Sequence, residues 1–132
     1  MSSDTVRYLS RNDLLAIIEI ALPGSVELRD AGQLQAAVLR PQTSAFGEDD
    51  YPGPWRKAAA LMQSVLIGHP LSDGNKRLAW LSAKAFLRLN GAKVSAAPTN
   101  AAHGLVIDVA TGEIMEVPVI AELLKKLLHE SE

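Results

Sequence analysis

The sequence predicts an all-α fold: a single-domain bundle of about six helices over residues 1–132, with a polar loop between its two central helices. Three observations point there. Apolar side chains make up 48% of the 132 residues, enough for one core of ordinary size, and the length leaves no room for a second domain. Six stretches carry apolar residues at helical spacing, bounded by capping residues, proline or glycine. Two of them, in the middle of the chain, are apolar on nearly all sides, as central helices of a bundle are.

In chain order, Ser10-Arg11-Asn12-Asp13 reads as a cap with an acidic residue in the first turn. It leads into Leu14, Ile17, Ile18 and Ala21, and Pro23-Gly24 is the stop. Asp30 caps a second helix that carries Leu34, Ala37 and Val38 and ends at Pro41. Residues 42–54 have no period and close on Pro52-Gly53-Pro54, so they read as one long loop, with Glu48-Asp49-Asp50 as a solvated acidic stretch. Trp55 to Ile67, with Ala58, Ala59, Ala60, Leu61, Met62, Val65 and Leu66, is the first central helix, and Gly68 stands where its C-cap falls.

The second central helix holds Leu78, Ala79, Trp80, Leu81, Ala83, Ala85, Phe86, Leu87 and Leu89 and ends at Asn90-Gly91; Trp80 and Phe86 read as core. Thr99 or Asn100 caps a fifth helix with Ala102, Leu105, Val106 and Val109 on one face, closed by Gly112. Pro118 is a first-turn proline for a sixth, striped by Ile120, Leu123, Leu124 and Leu127. Its charges suit the helix dipole, with Glu116 and Glu122 early and Lys125 and Lys126 late. His103 and His129 read as surface residues.

The polar loop is His69-Pro70-Leu71-Ser72-Asp73-Gly74-Asn75-Lys76-Arg77. His69 carries an imidazole, the side chain suited to accepting a hydroxyl proton near neutral pH, so it is the candidate general base. Asp73 to Arg77 open the next helix, where free N–H groups and the positive dipole end bind anions. A base followed by a cationic, backbone-rich cradle is the layout of a phosphate-ester transferase. Asp-Gly-Asn alone is a common turn and Lys-Arg ordinary surface charge; their conjunction with His69 is what carries the chemical reading.

These residues resemble the signature of the Fic/Doc family, His-x-Phe-x-Asp/Glu-Gly/Ala-Asn-Gly/Lys-Arg, with His69, Asp73, Asn75 and Arg77 at the required spacing and an apolar helix following. Leu71 stands where the signature has phenylalanine and Gly74 where the best-known Doc pattern has alanine, while Ile67 replaces an arginine common just before Gly-His. Leu28 to Leu34, Ala36-Ala37 and Leu39-Arg40-Pro41 resemble the N-terminal block of the Doc (death-on-curing) branch. Phe86 to Gly91 and Ala110 to Glu113 resemble later stretches of it, so the likeness covers nearly the whole chain. A Fic/Doc-type bundle is therefore expected.

Each residue has a chemical role and a plainer one. Asp73 offers a hard oxygen ligand for a magnesium ion that bridges nucleotide phosphates, or a helix N-cap. Gly74 permits close backbone approach to phosphate, and the N–H groups of Gly74, Asn75 and Lys76 are the expected anion nest. Asn75 orients the loop or donates to an oxyanion; Arg77 holds a phosphate bidentately or makes a surface ion pair. The resemblance adds the substrate. Glycine at the position of Lys76 goes with AMP transfer from ATP in the larger Fic group, whereas lysine in the Doc branch goes with transfer of the terminal phosphate.

The resemblance thus implies the toxin of a type II toxin–antitoxin system. It implies an ATP- and magnesium-dependent protein kinase that arrests translation by phosphorylating elongation factor Tu, with AMP transfer by the same loop as the alternative. A non-catalytic helical binding module is the third reading, opposed by the intact His69, Asp73, Asn75 and Arg77. Ser44 to Glu48 lacks the Gly or Asn that closes the inhibitory motif of many Fic enzymes. Control is therefore expected from outside the chain, and the resemblance implies that it comes from an antitoxin whose C-terminal segment folds into a helix on a groove of the toxin. A formal charge of −2 makes nucleic acid a poor direct partner, and zero cysteines exclude thiol catalysis and thiolate metal sites. Neither a membrane span nor an N-terminal signal pattern is evident, so a cytoplasmic location is the default expectation.

Overall fold

Ser10 starts the first helix, α1 (Arg11–Ala21), through a capping box: its hydroxyl accepts from the Asp13 N–H at 3.1 Å while the Asp13 carboxylate accepts from the Ser10 N–H at 2.7 Å. The fold is that of a computed structural model which describes residues 5–22, 24 and 26–129. Pro23, the expected stop for α1, lies outside the described residues; the helix ends at Ala21, with Leu22 extended. Asp30 caps α2 (Ala31–Leu39), its carboxylate accepting from the Gln33 N–H at 3.1 Å. The turn continues as a 3-10 helix, Arg40–Gln42, and Pro41 sits in its first turn, where the missing N–H breaks no bond.

Residues 42–54 depart from the expected plain loop. They hold a small antiparallel hairpin of β1 (Ser44–Ala45) and β2 (Glu48–Asp49), pairing Ser44 with Asp49 and Ala45 with Glu48. Phe46 and Gly47 between the strands have φ of 54° and 79°, the pair of positive values that a two-residue hairpin turn needs. Strands of two residues leave no alternation for sequence reading to find.

The central pair is α3 (Pro54–Gly68) and α4 (Asn75–Leu89), followed by α5 (Thr99–Ala110) and α6 (Val117–Leu128). α3 packs against α4, α6, α2 and α5, and one cluster of buried side chains draws on all six helices, including Leu14, Leu34, Met62, Phe86, Val109 and Ile120. The all-α expectation holds. The start of α5 differs: the N-cap is Pro98, whose ring already fixes φ near −58°, and neither Thr99 nor Asn100 caps by its side chain. Pro118 does occupy the first turn of α6. Trp80, expected in the core with Phe86, is only half-buried at its edge. No helix among the described residues is long and apolar enough to cross a membrane.

Candidate active site

The polar loop is built from both of its ends. At the first, α3 runs through Gly68, so the C-cap is His69 rather than the expected Gly68, with φ 49° and ψ 58°. Gly68 answers a different need: a Cβ there would lie 2.7 Å from Gln33 Oε1 on α2. Among the described residues, only His69 and Phe46 hold positive φ without being glycine. A histidine held in the left-handed region must be fixed by its surroundings, as functional loops often are. Its Nδ1 lies 3.2 Å from the Ile67 carbonyl. Since a carbonyl only accepts, Nδ1 carries the hydrogen and Nε2 keeps the basic lone pair.

Backbone bonds then hold the loop to the segment before α2. The Pro70 carbonyl accepts from the N–H groups of Arg29 at 2.7 Å and Asp30 at 3.0 Å, and the Ser72 N–H donates to the Glu27 carbonyl at 2.9 Å. Ser72 Oγ accepts from the Glu27 N–H at 3.0 Å, and Leu28 and Leu71 form an antiparallel bridge. Leu71, 1% exposed, anchors the loop in the core. Asn75 completes the frame: its Oδ1 accepts from the Leu71 N–H at 2.9 Å and its Nδ2 donates to the Leu71 carbonyl at 3.0 Å. Of its two expected roles, bracing the loop is the one the geometry displays.

At the second end, the N-cap of α4 is Gly74, with φ 84°, and Asp73 does not cap the helix. Instead Asp73 Oδ1 accepts from the Gly74 N–H at 2.8 Å, which removes that group from the expected anion nest. The first intrahelical bond runs from the Leu78 N–H to the Gly74 carbonyl at 2.9 Å. The first-turn N–H groups not used by the helix are therefore those of Asn75, Lys76 and Arg77, one residue later than expected. A Cβ on Gly74 would fall 2.6 Å from Leu22 Cδ2, so this glycine serves a tight contact as well as its positive φ.

His69, Asp73, Gly74, Asn75, Lys76 and Arg77 all line one cavity of about 430 Å³. That volume lies in the range of small-molecule sites. Lys76 and Arg77 are exposed, and the single ion pair among the described residues, Lys57 with Asp49, involves neither. Their charges are thus available to an anion. No group of three or more His, Cys, Asp or Glu side chains gathers among the described residues, so Asp73 stands as a lone carboxylate at the cavity. Magnesium fits that donor set, because it binds readily through one carboxylate with phosphate and water oxygens completing its shell.

Sequence reading missed Lys57. It is 1% exposed within α3, and its ammonium donates to Asp49 Oδ2 at 2.9 Å and the Tyr51 carbonyl at 2.6 Å, tying the base of the hairpin to the helix. Arg40 assists, with Nε donating to the Tyr51 hydroxyl at 3.1 Å and its guanidinium 5.3 Å from the Tyr51 ring centre. Asp49 is therefore a tether rather than a merely solvated charge. A lysine next to the apolar run Ala58 to Met62, early in the helix that follows an acidic stretch, is the signal that could have found this pair.

A model of the Fic/DOC family matches residues 8–87. The chain is 45% identical over 117 residues to Toxin Doc of Mycolicibacterium smegmatis, covering 88% of this chain and 90% of that protein. It is 32% identical over 133 residues to Protein kinase doc of Escherichia phage P1, covering 96% of this chain and 100% of that protein.

Proposed function

The chain belongs to the Fic/DOC family, in the branch of the Doc toxins, and from that premise we propose that it transfers the terminal phosphate of ATP to a protein hydroxyl. In this reading it is the kinase toxin of a type II toxin–antitoxin pair, and it arrests translation by phosphorylating a translation factor, elongation factor Tu by family analogy. The observation that carries the chemistry is the 430 Å³ cavity, where a base, a carboxylate and two cations that make no ion pair among the described residues meet beside the first-turn N–H groups of α4.

His69 Nε2 takes the proton of the target hydroxyl as its oxygen attacks the terminal phosphorus, and the bond to the departing ADP oxygen breaks. Arg77, Lys76 and the first-turn N–H groups of α4 hold the phosphate oxygens through that change. Asp73 is the residue that would hold magnesium, which when bound neutralises phosphate charge. Lys76 favours phosphate over AMP transfer, since lysine here is the Doc pattern and one relative bears the name Protein kinase doc. A cognate antitoxin is the partner expected of a Doc toxin, with a helix laid in a groove as its mode of binding.

The test is label partition. The purified chain is incubated with magnesium, elongation factor Tu and ATP labelled either in the terminal or in the first phosphate. Label from the terminal phosphate alone on the target is the expected result. Label from the first phosphate would make the protein an AMP-transferase, and no label from either would remove elongation factor Tu as target.

A further inference from the structure

Ser72 is the one hydroxyl among the described residues lining the loop cavity, which it shares with His69, Lys76 and Arg77. The residue is exposed, and its Oγ takes a single bond, accepting from the Glu27 N–H at 3.0 Å. The hydroxyls of Thr43, Ser82 and Ser95 donate their hydrogens to the backbone carbonyls of Arg40, Ala79 and Leu128. The Ser72 hydrogen has no such acceptor among the described residues, so one lone pair and the O–H remain for chemistry. Backbone bonds from Arg29 to Pro70 and from Ser72 to Glu27 keep this hydroxyl at the cavity wall. Three residues earlier stands the exposed His69, whose Nε2 is the free basic nitrogen.

The substrate of the transfer is a protein hydroxyl presented to His69, and Ser72 is such a hydroxyl within the chain itself. We propose that Ser72 is a self-phosphorylation site, and that its phosphate closes the cavity that made it. The Ser72 O–H gives its proton to His69 Nε2 as Oγ bonds to the terminal phosphorus of magnesium-ATP. The bond from that phosphorus to the bridging oxygen breaks, and ADP leaves with the electron pair. The product carries nearly two negative charges and stands two residues before Gly74, the N-cap of α4. It shares its cavity with Lys76, Arg77 and the start of α4, whose cations and first-turn N–H groups suit a phosphate. The Asp73 carboxylate beside it is already bonded to the Gly74 N–H at 2.8 Å. Occupied by the chain's own phosphate, the cradle repels and excludes the phosphates of a second nucleotide, a brake that acts only after turnover. This site rests on the phosphate-transfer reading of the loop.

In the test, the purified full chain is incubated with magnesium and ATP labelled in the terminal phosphate, with no target protein, and the label is located by peptide mass spectrometry. One phosphate at Ser72 is expected, formed at a rate per chain that dilution does not change, as transfer within one molecule requires. Ser72→Ala should lose the label and keep the parent affinity for magnesium-ATP by calorimetry, because the only side-chain bond it removes is the one to Glu27. Should Ser72→Ala fail to fold, Ser72→Thr keeps the hydroxyl and should carry the label at the same position. The phosphorylated chain, separated by its added charge, should bind magnesium-ATP about ten-fold or more weakly. A chain that binds magnesium-ATP but stays unlabelled at Ser72 overturns the self-acceptor and leaves the nucleotide reading standing. A rate per chain that falls on dilution overturns transfer within one molecule, and a phosphorylated chain that binds ATP as tightly as the parent overturns the brake. Absence of ATP binding removes the phosphate-transfer reading together with this site.

Discussion

The loop His69–Arg77 and the hairpin Ser44–Asp49 are held in opposite ways. The loop is joined to residues 27–30 by backbone bonds at Pro70 and Ser72 and by the bridge of Leu71 with Leu28. The hairpin pairs with itself, and side chains tie its base: Lys57 through Asp49 and the Tyr51 carbonyl, Arg40 through the Tyr51 ring and hydroxyl. Its tip, Phe46, is fully exposed. Backbone bonds survive when a side chain is exchanged, so the loop can carry reactive residues that contribute little to folding. Side-chain ties do not survive, so a single substitution can loosen the hairpin.

The largest expected effect is on chemistry alone. His69→Ala should lower phosphate transfer by at least about 10²-fold, the usual worth of a positioned general base. It should move folding stability by no more than about 1 kcal/mol, because the imidazole is exposed and bonded only to the Ile67 carbonyl nearby. Initial rates and chemical denaturation on the same preparation separate the two. A drop in stability as large as the drop in activity would mean that the loop depends on its side chains after all.

Asn75 is the place where it does. Its amide stands in for a backbone partner to both polar groups of the buried Leu71. Asn75→Ala should therefore cost about 3 kcal/mol, since two buried backbone groups at roughly 1–3 kcal/mol each lose their partner, partly offset by entering water. Asn75→Asp keeps the acceptor for the Leu71 N–H but sets an oxygen against the Leu71 carbonyl, so it should not restore stability. Urea denaturation of both variants decides this.

The hairpin should break more cheaply and less symmetrically. Asp49→Ala leaves the ammonium of the buried Lys57 without a counter-charge and should cost about 2 kcal/mol, while Lys57→Met removes the charge in similar volume and should cost about half as much. Asp49 is half-exposed and can turn to water once its partner is gone. Equal costs for the two variants, read by thermal denaturation, would show that packing of the lysine stem rather than its charge ties the hairpin.

The same contrast explains what could be read from sequence. The capping box of Ser10 and Asp13, the Asp30 cap, first-turn Pro118 and the apolar central helices are local signals, written in residues adjacent in the chain. The run His69–Arg77 was legible as one cluster for the same reason, and the structure gathers it around one cavity. What escaped depends on distant partners. Gly68 is set by Gln33, and the buried lysine by a hairpin too short to show a period. Trp80 looked like core because spacing along one helix does not tell how closely α5 covers it.

Gly74→Ala draws the finest distinction. At φ 84° and ψ 12° an alanine is strained whatever surrounds it, which sets a cost of roughly 1–2 kcal/mol. Its Cβ would also lie 2.6 Å from Leu22 Cδ2, but that atom is the free end of a side chain that can rotate away. The backbone conformation should then dominate. A double-mutant cycle with Leu22→Ala checks it: a coupling below about 0.5 kcal/mol assigns the cost to φ, whereas a larger favourable coupling assigns it to the clash. Transfer should remain roughly within ten-fold of the parent rate, since the open donors belong to Asn75, Lys76 and Arg77 and the Gly74 N–H is already bonded to Asp73. A far deeper loss of rate with intact folding would return Gly74 to the anion nest and show that Asp73 releases it when phosphate enters.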